Sequence, residues 1–277
     1  MMFQEAGIAL ETVTLPLFAV FAISGAAIRF GRQWLSPLGI ALAALLPCML
    51  AYMPAFPPSR LLDYLPILGF IAFLLFLPFD LKDIPFSIVL KWLFSAAASW
   101  LLLRPRIPAW SFQEAAQNLI AVTLVWTAFW SYLEAVSGTR KSGILMLSIA
   151  AFGCGIVLYF DSSVVLGKMG IALGVALGSW LFLSAISPGL KFGHSGFAAA
   201  YTVFASLILI GGYYGQIPRG IIFLVLGALA AELPVRVLLQ LNPEIRPRSA
   251  AAMTATLALI PIAIAAWISV GDYVMGS

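Results

Sequence analysis

Long runs of apolar residues alternate with short polar segments along the whole chain. A helix needs about 20 residues at a rise of 1.5 Å to cross roughly 30 Å of hydrocarbon, and ten runs approach that length. Their apolarity is continuous rather than alternating, which favours helices over the strands of a membrane barrel. We predict spans at Thr12–Phe30, Ser36–Met53, Leu61–Phe79, Phe86–Leu103, Ala115–Val136, Ser142–Phe160, Val164–Ile186, Gly196–Tyr214, Pro218–Leu239 and Ala250–Val270.

The segments between these runs are short and rich in Gly, Pro, Asn, Asp and Ser, which is typical of turns. None is long enough to hold a soluble domain, so residues 1–277 are expected to form a single transmembrane domain. The predicted fold class is an all-α, polytopic integral membrane protein with about ten transmembrane helices. Eight or nine spans would result if a short run, such as the third, were re-entrant.

The spacing of the runs suggests two halves, residues 1–136 and 137–277. The five predicted helix starts in the first half recur in the second half at an offset of roughly 130 residues. An odd number of spans in each half would make the two halves inverted repeats. Ten spans arranged as five plus five in a chain of this length resemble the general plan of small drug and metabolite transporters. The resemblance is one of architecture and not of motifs.

The composition agrees with a membrane location. Hydrophobic residues make up 62% of the chain and charged residues 9%, with a mean hydropathy of +1.05, whereas soluble proteins are about half apolar and a quarter charged. The formal net charge is +4, and the basic residues are scattered at the ends of apolar runs, which indicates topology rather than nucleic-acid binding. With two cysteines and a single histidine, we expect neither a disulfide framework, nor a metal site, nor a haem or other cofactor.

The basic residues also predict the orientation in a cell inner membrane. The first eleven residues contain two acidic residues and no basic one, so a cleaved signal peptide is not expected. With the N-terminus outside, inner loops hold eight basic residues and outer loops four, and both termini lie on the periplasmic or extracellular side. The inner set is Arg29, Arg32, Lys82, Arg140, Lys141, Lys191, Arg246 and Arg248, and the outer set is Arg60, Arg104, Arg106 and Arg219.

The ninth span carries the main candidate site. Glu232 and Arg236 are four residues apart and share a helix face, and a charge near the bilayer centre costs about 2.5 to 3.5 kcal/mol. Pro234 removes a backbone donor and crowds the carbonyl group of Ala230, which loosens the helix. One interpretation is an ion, proton or substrate site at a kinked helix. The other is an internally neutralised pair in which Arg236 reaches for the headgroups.

The seventh span places Gly170, Gly174 and Gly178 at intervals of four, which lines one helix face with small residues for close packing. Lys168 lies near the outer end of the same span. There we expect its side chain to extend to the interface rather than to carry a buried function.

Glu134 is a second candidate, at the end of an aromatic stretch, where an interfacial carboxylate is the simpler interpretation. Lys91 is expected to reach the interface from the inner end of the fourth span. Asp80 is expected in a solvated turn and His194 in a loop.

The chain contains none of the phosphate-loop, dinucleotide, zinc-protease or serine-hydrolase motifs. No feature argues for an enzyme. We therefore predict a small secondary transporter or permease for a small solute or ion. The alternative is a non-catalytic anchor or scaffold subunit that associates with other membrane subunits in the bilayer.

Overall fold

The computed structural model describes residues 13–30, 35–51, 55–81, 87–187, 190–215, 217–242 and 247–276. Within these ranges the protein is all helical and has no strand, so the all-α part of the predicted fold class is confirmed. A short 3₁₀ helix, Ile107–Ala109, precedes α5. The α-helices are α1 Leu15–Arg29, α2 Leu35–Ala51, α3 Leu61–Leu81, α4 Ser87–Leu103, α5 Phe112–Arg140, α6 Ser142–Asp161, α7 Val164–Ile186, α8 His194–Tyr214, α9 Arg219–Leu229, α10 Glu232–Leu241 and α11 Pro247–Gly276.

Seven segments in the described part of the chain are long and apolar enough to cross a membrane. They are α3, α5, α6, α7, α8, the consecutive pair α9 and α10, and α11. The protein is therefore a multi-pass membrane protein. Helices α1, α2 and α4 are apolar but shorter, so the count of ten spans stays a prediction.

Side-chain contacts define two ends of the helical bundle. At one end, Arg106 follows α4 and donates to the carbonyl group of Tyr213 at the end of α8, and the Tyr213 hydroxyl donates to Asn118 early in α5. At the other end, Glu134 late in α5 meets His194 at the start of α8. We call these the Arg219 end and the Glu134 end. Helix α5 therefore runs antiparallel to α4 and α8.

Helix α8 forms the centre of the bundle. In its spanning segment 83% of the residues are buried, whereas the corresponding share in α11 is 22%. Helix α8 packs mainly against α3 and α2, and α6 joins α7 on one side to α11 on the other. Exposed apolar side chains such as Ile260 and Trp267 cover the outer face of α11, as expected for a surface in contact with lipid.

Helices α6 and α7 approach each other through glycine. A Cβ atom on Gly170 would lie 2.6 Å from Cα of Gly155, and a Cβ atom on Gly174 would lie 2.7 Å from Cβ of Phe152. Gly178 has more space, since its nearest neighbour, the Ser148 hydroxyl oxygen, would be 3.4 Å away. The glycine face of α7 therefore docks onto α6 of the same chain.

The packing between the proposed halves is only partly symmetric. The second helices of the two halves, α2 and α7, pack together, and so do the third helices, α3 and α8, as a two-fold axis would require. In contrast, α1 packs against α7, and the described parts of α6 and α2 make no comparably extensive contact. The internal repeat therefore stays a prediction.

Candidate functional site

A cavity of about 550 Å³ opens at the Arg219 end between α5, α8 and α9. We call it the Arg219 cavity. Helix α8 touches α5 and α9 only sparsely, which leaves this space between them. Its lining contains two arginines and no acidic residue: Arg106, Trp110, Asn118, Ala121, Val122, Val125, Trp126, Tyr201, Phe204, Ala205, Ile208, Leu209, Gly212, Tyr213, Arg219, Ile222, Phe223 and Leu226.

Polar groups surround the mouth of the Arg219 cavity. Nη2 of Arg106 donates to the carbonyl oxygen of Tyr213 at 2.8 Å, and its guanidinium carbon lies 5.1 Å from the ring centre of Tyr214. The Tyr213 hydroxyl donates to Oδ1 of Asn118 at 2.9 Å. Arg219 is exposed at the first position of α9. The mouth is therefore positively charged.

Aromatic side chains form the floor of this cavity. The hydroxyl group of Tyr201 donates to the carbonyl oxygen of Trp126 at 2.8 Å, and the two rings meet edge to face. The buried indole N–H of Trp126 has no hydrogen-bond acceptor among the described residues. Tyr201 lies twelve residues before Tyr213 on α8, so the cavity extends along about 18 Å of the helix.

A second cavity, of about 350 Å³, lies at the Glu134 end. We call it the Glu134 cavity. It is lined by three cationic or titratable nitrogen groups, one carboxylate and a set of apolar side chains. The lining residues are Glu134, Ser137, Lys141, Ile144, Trp180, Leu190, Lys191, Phe192, Gly193, His194 and Phe197.

Glu134 binds two partners from neighbouring helices. Its Oε2 atom forms a salt bridge with Lys91 of α4, and its Oε1 atom lies 2.5 Å from Nδ1 of His194 of α8. The side chains of Lys91 and Glu134 are only 7% and 15% exposed. The expectations that Lys91 reaches the interface and that His194 lies in a loop are therefore wrong, because α4 and α8 bring both side chains to Glu134. Their only signal in the sequence was opposite charge near the same predicted membrane face.

Asp80, at the end of α3, forms hydrogen bonds with the start of α8. Its carboxylate accepts the backbone N–H groups of His194 at 2.5 Å and Ser195 at 3.0 Å, and also the Ser195 hydroxyl group. A carboxylate at a helix N-terminus satisfies donors that lack intrahelical partners. The expectation of a solvated turn at Asp80 is therefore wrong. Asp80, Glu134, Lys91 and His194 form a network that joins four helices, and we call it the ionic network.

Only one helical turn separates the two cavities. Phe197 lines the Glu134 cavity and Tyr201 lines the Arg219 cavity, and four residues of α8 correspond to about 6 Å of rise. Their rings stack with centroids 6.1 Å apart and an interplanar angle of 7°. The fully buried Trp130 packs against Tyr201 with a centroid distance of 5.5 Å. Three aromatic rings thus separate openings at opposite ends of the bundle.

The principal candidate from the sequence, Glu232, lies outside both cavities. Glu232 is 2% exposed and is the first residue of α10, and it directly follows a turn formed by Ala230 and Ala231. Arg236 is 45% exposed, and its Nε atom lies 3.7 Å from Oε1 of Glu232. Pro234 occupies the first turn of α10. N–H groups in a first turn have no acceptor within the helix, so a proline there costs no intrahelical hydrogen bond. The interruption therefore lies at the carbonyl group that Pro234 would crowd.

The surroundings of Glu232 suit both of its protonation states. The Thr254 hydroxyl oxygen lies 2.8 Å from Oε2 of Glu232 and 3.1 Å from the carbonyl oxygen of Ala250. A hydroxyl group has one proton to donate and also accepts. With an ionised Glu232, Thr254 donates to the carboxylate. With a protonated Glu232, the acid donates to Thr254, which then donates to Ala250.

The remaining sequence candidates lie apart from the cavities. Lys168 is half-buried in α7 and lines neither cavity. The Gly170, Gly174 and Gly178 face is occupied by α6.

Comparison with known protein families, curated proteins and solved structures finds no match for this chain. In the described part of the chain, no group of three or more His, Cys, Asp and Glu side chains could hold a metal ion.

Proposed function

We propose that the protein is a small secondary transporter or permease of a cell inner membrane that moves a small solute or ion. The observation that supports this proposal best is the pair of cavities that enter from opposite ends and approach within one turn of α8. Alternating access requires a substrate path that is open to one side and closed to the other by a thin barrier. The stacked Phe197 and Tyr201 rings, together with Trp130, are that barrier.

In the proposed cycle, the structure represents the state open at the Arg219 end. The ionic network holds α3, α4, α5 and α8 together at the Glu134 end and acts as a gate. Breaking the contacts of Glu134 would let α5 and α8 separate there. The packing of α2 on α7 and of α3 on α8 supports two inverted halves that rock against each other, with ten spans in total. In this proposal the Arg219 end and both termini face the periplasm.

Accessibility of single cysteines tests this proposal without a known substrate. In a background that lacks Cys48 and Cys154, Ala205→Cys reports on the Arg219 cavity and Ser137→Cys on the Glu134 cavity. An impermeant maleimide should label the first from the periplasm and the second from the cytoplasm. Met275→Cys checks the orientation and should be labelled from the periplasm.

Removing a partner of Glu134 should then shift the equilibrium between the two states. His194→Ala should slow labelling at Ala205→Cys and speed labelling at Ser137→Cys, because opening at one end is coupled to closure at the other. Lys191→Ala is the matched control, since Lys191 lines the same cavity and forms no salt bridge with the ionic network among the described residues. Rates that move together at both positions, or that move equally in the control, would contradict alternating access.

Glu232 is proposed to be the proton-responsive group, with Arg236 as its partner, because Thr254 satisfies either protonation state. Labelling of Ala205→Cys should therefore depend on pH, because the charge of Glu232 changes with its protonation state. Glu232→Gln should flatten this dependence, whereas Arg104→Gln, at an exposed site of the other end, should leave it unchanged. An unaltered pH profile in Glu232→Gln would remove Glu232 from the mechanism.

The outer face of α11 favours one second candidate function, an anchor or scaffold subunit. Its exposed apolar side chains include Leu259, Ile260, Ile264 and Trp267. A partner subunit would cover this face, whereas lipid alone covers it in a transporter. Co-purification of a stoichiometric membrane partner that protects Trp267→Cys from labelling would support the scaffold function.

A further inference from the structure

The lining of the Arg219 cavity indicates the chemical class of its ligand. Arg106 and Arg219 stand at the mouth, and the lining includes no carboxylate that would neutralise them. Arg106 uses one of the five N–H groups of its guanidinium on the Tyr213 carbonyl oxygen, and the others donate to no acceptor among the described residues. Among the described residues, no carboxylate forms a salt bridge with Arg219. The mouth is therefore built to accept an anion.

The deeper part of the cavity offers apolar contacts to a ligand instead of charged groups. The walls are aliphatic and aromatic, and the floor is formed by Trp126 and Tyr201. The volume of about 550 Å³ lies within the usual range for sites that bind small organic molecules.

Aromatic walls could also suit an organic cation through cation–π contacts. Two guanidinium groups at the entrance oppose that choice, because a ligand cation must pass and remain close to both. The charge at the mouth thus selects an anion, while the aromatic walls select an apolar body.

We propose that the Arg219 cavity binds an organic anion in which one carboxylate or phosphate group is joined to an apolar, ring-sized body. This inference rests on the proposed function for its role as the transported substrate, although binding itself does not require transport. A free solute and the end of an anionic lipid share this chemistry, so the experiment must distinguish them.

Calorimetric titration of the purified full chain in phosphatidylcholine nanodiscs tests the proposal. The probes are 2-naphthoate and its neutral and cationic counterparts, 2-naphthamide and 2-naphthylmethylamine. We expect 2-naphthoate to bind at least about tenfold more tightly than either counterpart, as a charge-assisted contact implies. Equal or tighter binding of the amine would overturn the proposal.

Two arginines at the same end provide a matched comparison. Arg219→Gln should weaken 2-naphthoate binding about tenfold or more. Arg104→Gln should leave it unchanged, because Arg104 is exposed, lies over the ring of Trp100 and does not line the cavity. Both side chains are exposed, so neither variant should impair folding. Equal affinities in the two variants would overturn the assignment.

Nanodiscs that contain phosphatidylglycerol identify the source of the anion. If this lipid competes with 2-naphthoate in the wild type and not in Arg219→Gln, the natural ligand is a lipid. If it does not compete, the ligand is a free solute. If 2-naphthoate binds but the two cysteines are not labelled from opposite sides, the transporter function is contradicted and this inference stands. If they are labelled from opposite sides but 2-naphthoate does not bind, this inference is contradicted and the transporter function stands.

Discussion

Replacing Glu134 with leucine should destabilise the protein by about 3 to 5 kcal/mol, the cost of leaving one member of a buried ion pair without its partner. The ammonium group of Lys91 is 7% exposed and forms its salt bridge with Glu134, so the variant retains a buried positive charge. His194 loses its carboxylate partner as well. Unfolding monitored by tryptophan fluorescence in detergent micelles at pH 7 would measure the change in free energy.

The double variant Lys91→Leu with Glu134→Leu distinguishes two causes of lost stability. One is the loss of the attraction between the two charges, and the other is the burial of a charge without a partner. Once both charges are removed, we expect most of the stability to return, because well-packed apolar groups often replace a buried pair without loss. The pair Glu232 and Arg236 offers a matched comparison, since Arg236 is 45% exposed and can be hydrated. Glu232→Leu leaves only the hydrated Arg236 behind and should therefore cost about 1 kcal/mol or less through the lost ion pair. If Glu134→Leu were no more harmful than Glu232→Leu, the ionic network would not hold the helices together.

The helices were predictable because membrane spans follow from local composition. Each predicted run coincides with at least one helix, since a backbone in lipid must satisfy its polar groups internally. The ninth run is the exception in detail, because Ala230 and Ala231 divide it into α9 and α10. Pro234 predicted a loosened helix at the carbonyl group of Ala230, four residues upstream, and the interruption lies there.

The candidate site depends on contacts between helices, which the pattern of one helix cannot supply. Lys91 and Glu134 are 43 residues apart and His194 and Glu134 are 60 apart, so their pairing follows from the packing of α4, α5 and α8. The two cavities likewise depend on how closely α8 approaches its neighbours. The sequence identified Glu134 as an acidic residue near an interface and could not identify its partners.

Alanine substitutions at the glycines between α6 and α7 should change the stability of the protein in opposite directions at different positions of the same interface. Gly155→Ala should destabilise the protein by about 3 kcal/mol, since overpacking typically costs 1 to 3 kcal/mol or more. The added methyl carbon would lie 2.4 Å from the backbone nitrogen of Ile171 and 2.9 Å from the carbonyl oxygen of Gly167. Backbone atoms of a packed helix cannot rotate away, so α6 and α7 must separate. The midpoint of thermal unfolding in detergent micelles would fall.

Gly178→Ala, at the far end of the same contact, is the matched control for this effect. Its methyl carbon would meet only the Ser148 hydroxyl oxygen, at an ordinary distance of 3.4 Å. Alanine is favoured over glycine within a helix by up to about 1 kcal/mol, so this variant should be neutral or slightly more stable. Gly227→Ala, which meets nothing within 4 Å, should behave similarly. If all three variants lost equal stability, the cause would be the loss of glycine itself, and close approach of α6 and α7 at Gly155 would not limit their packing.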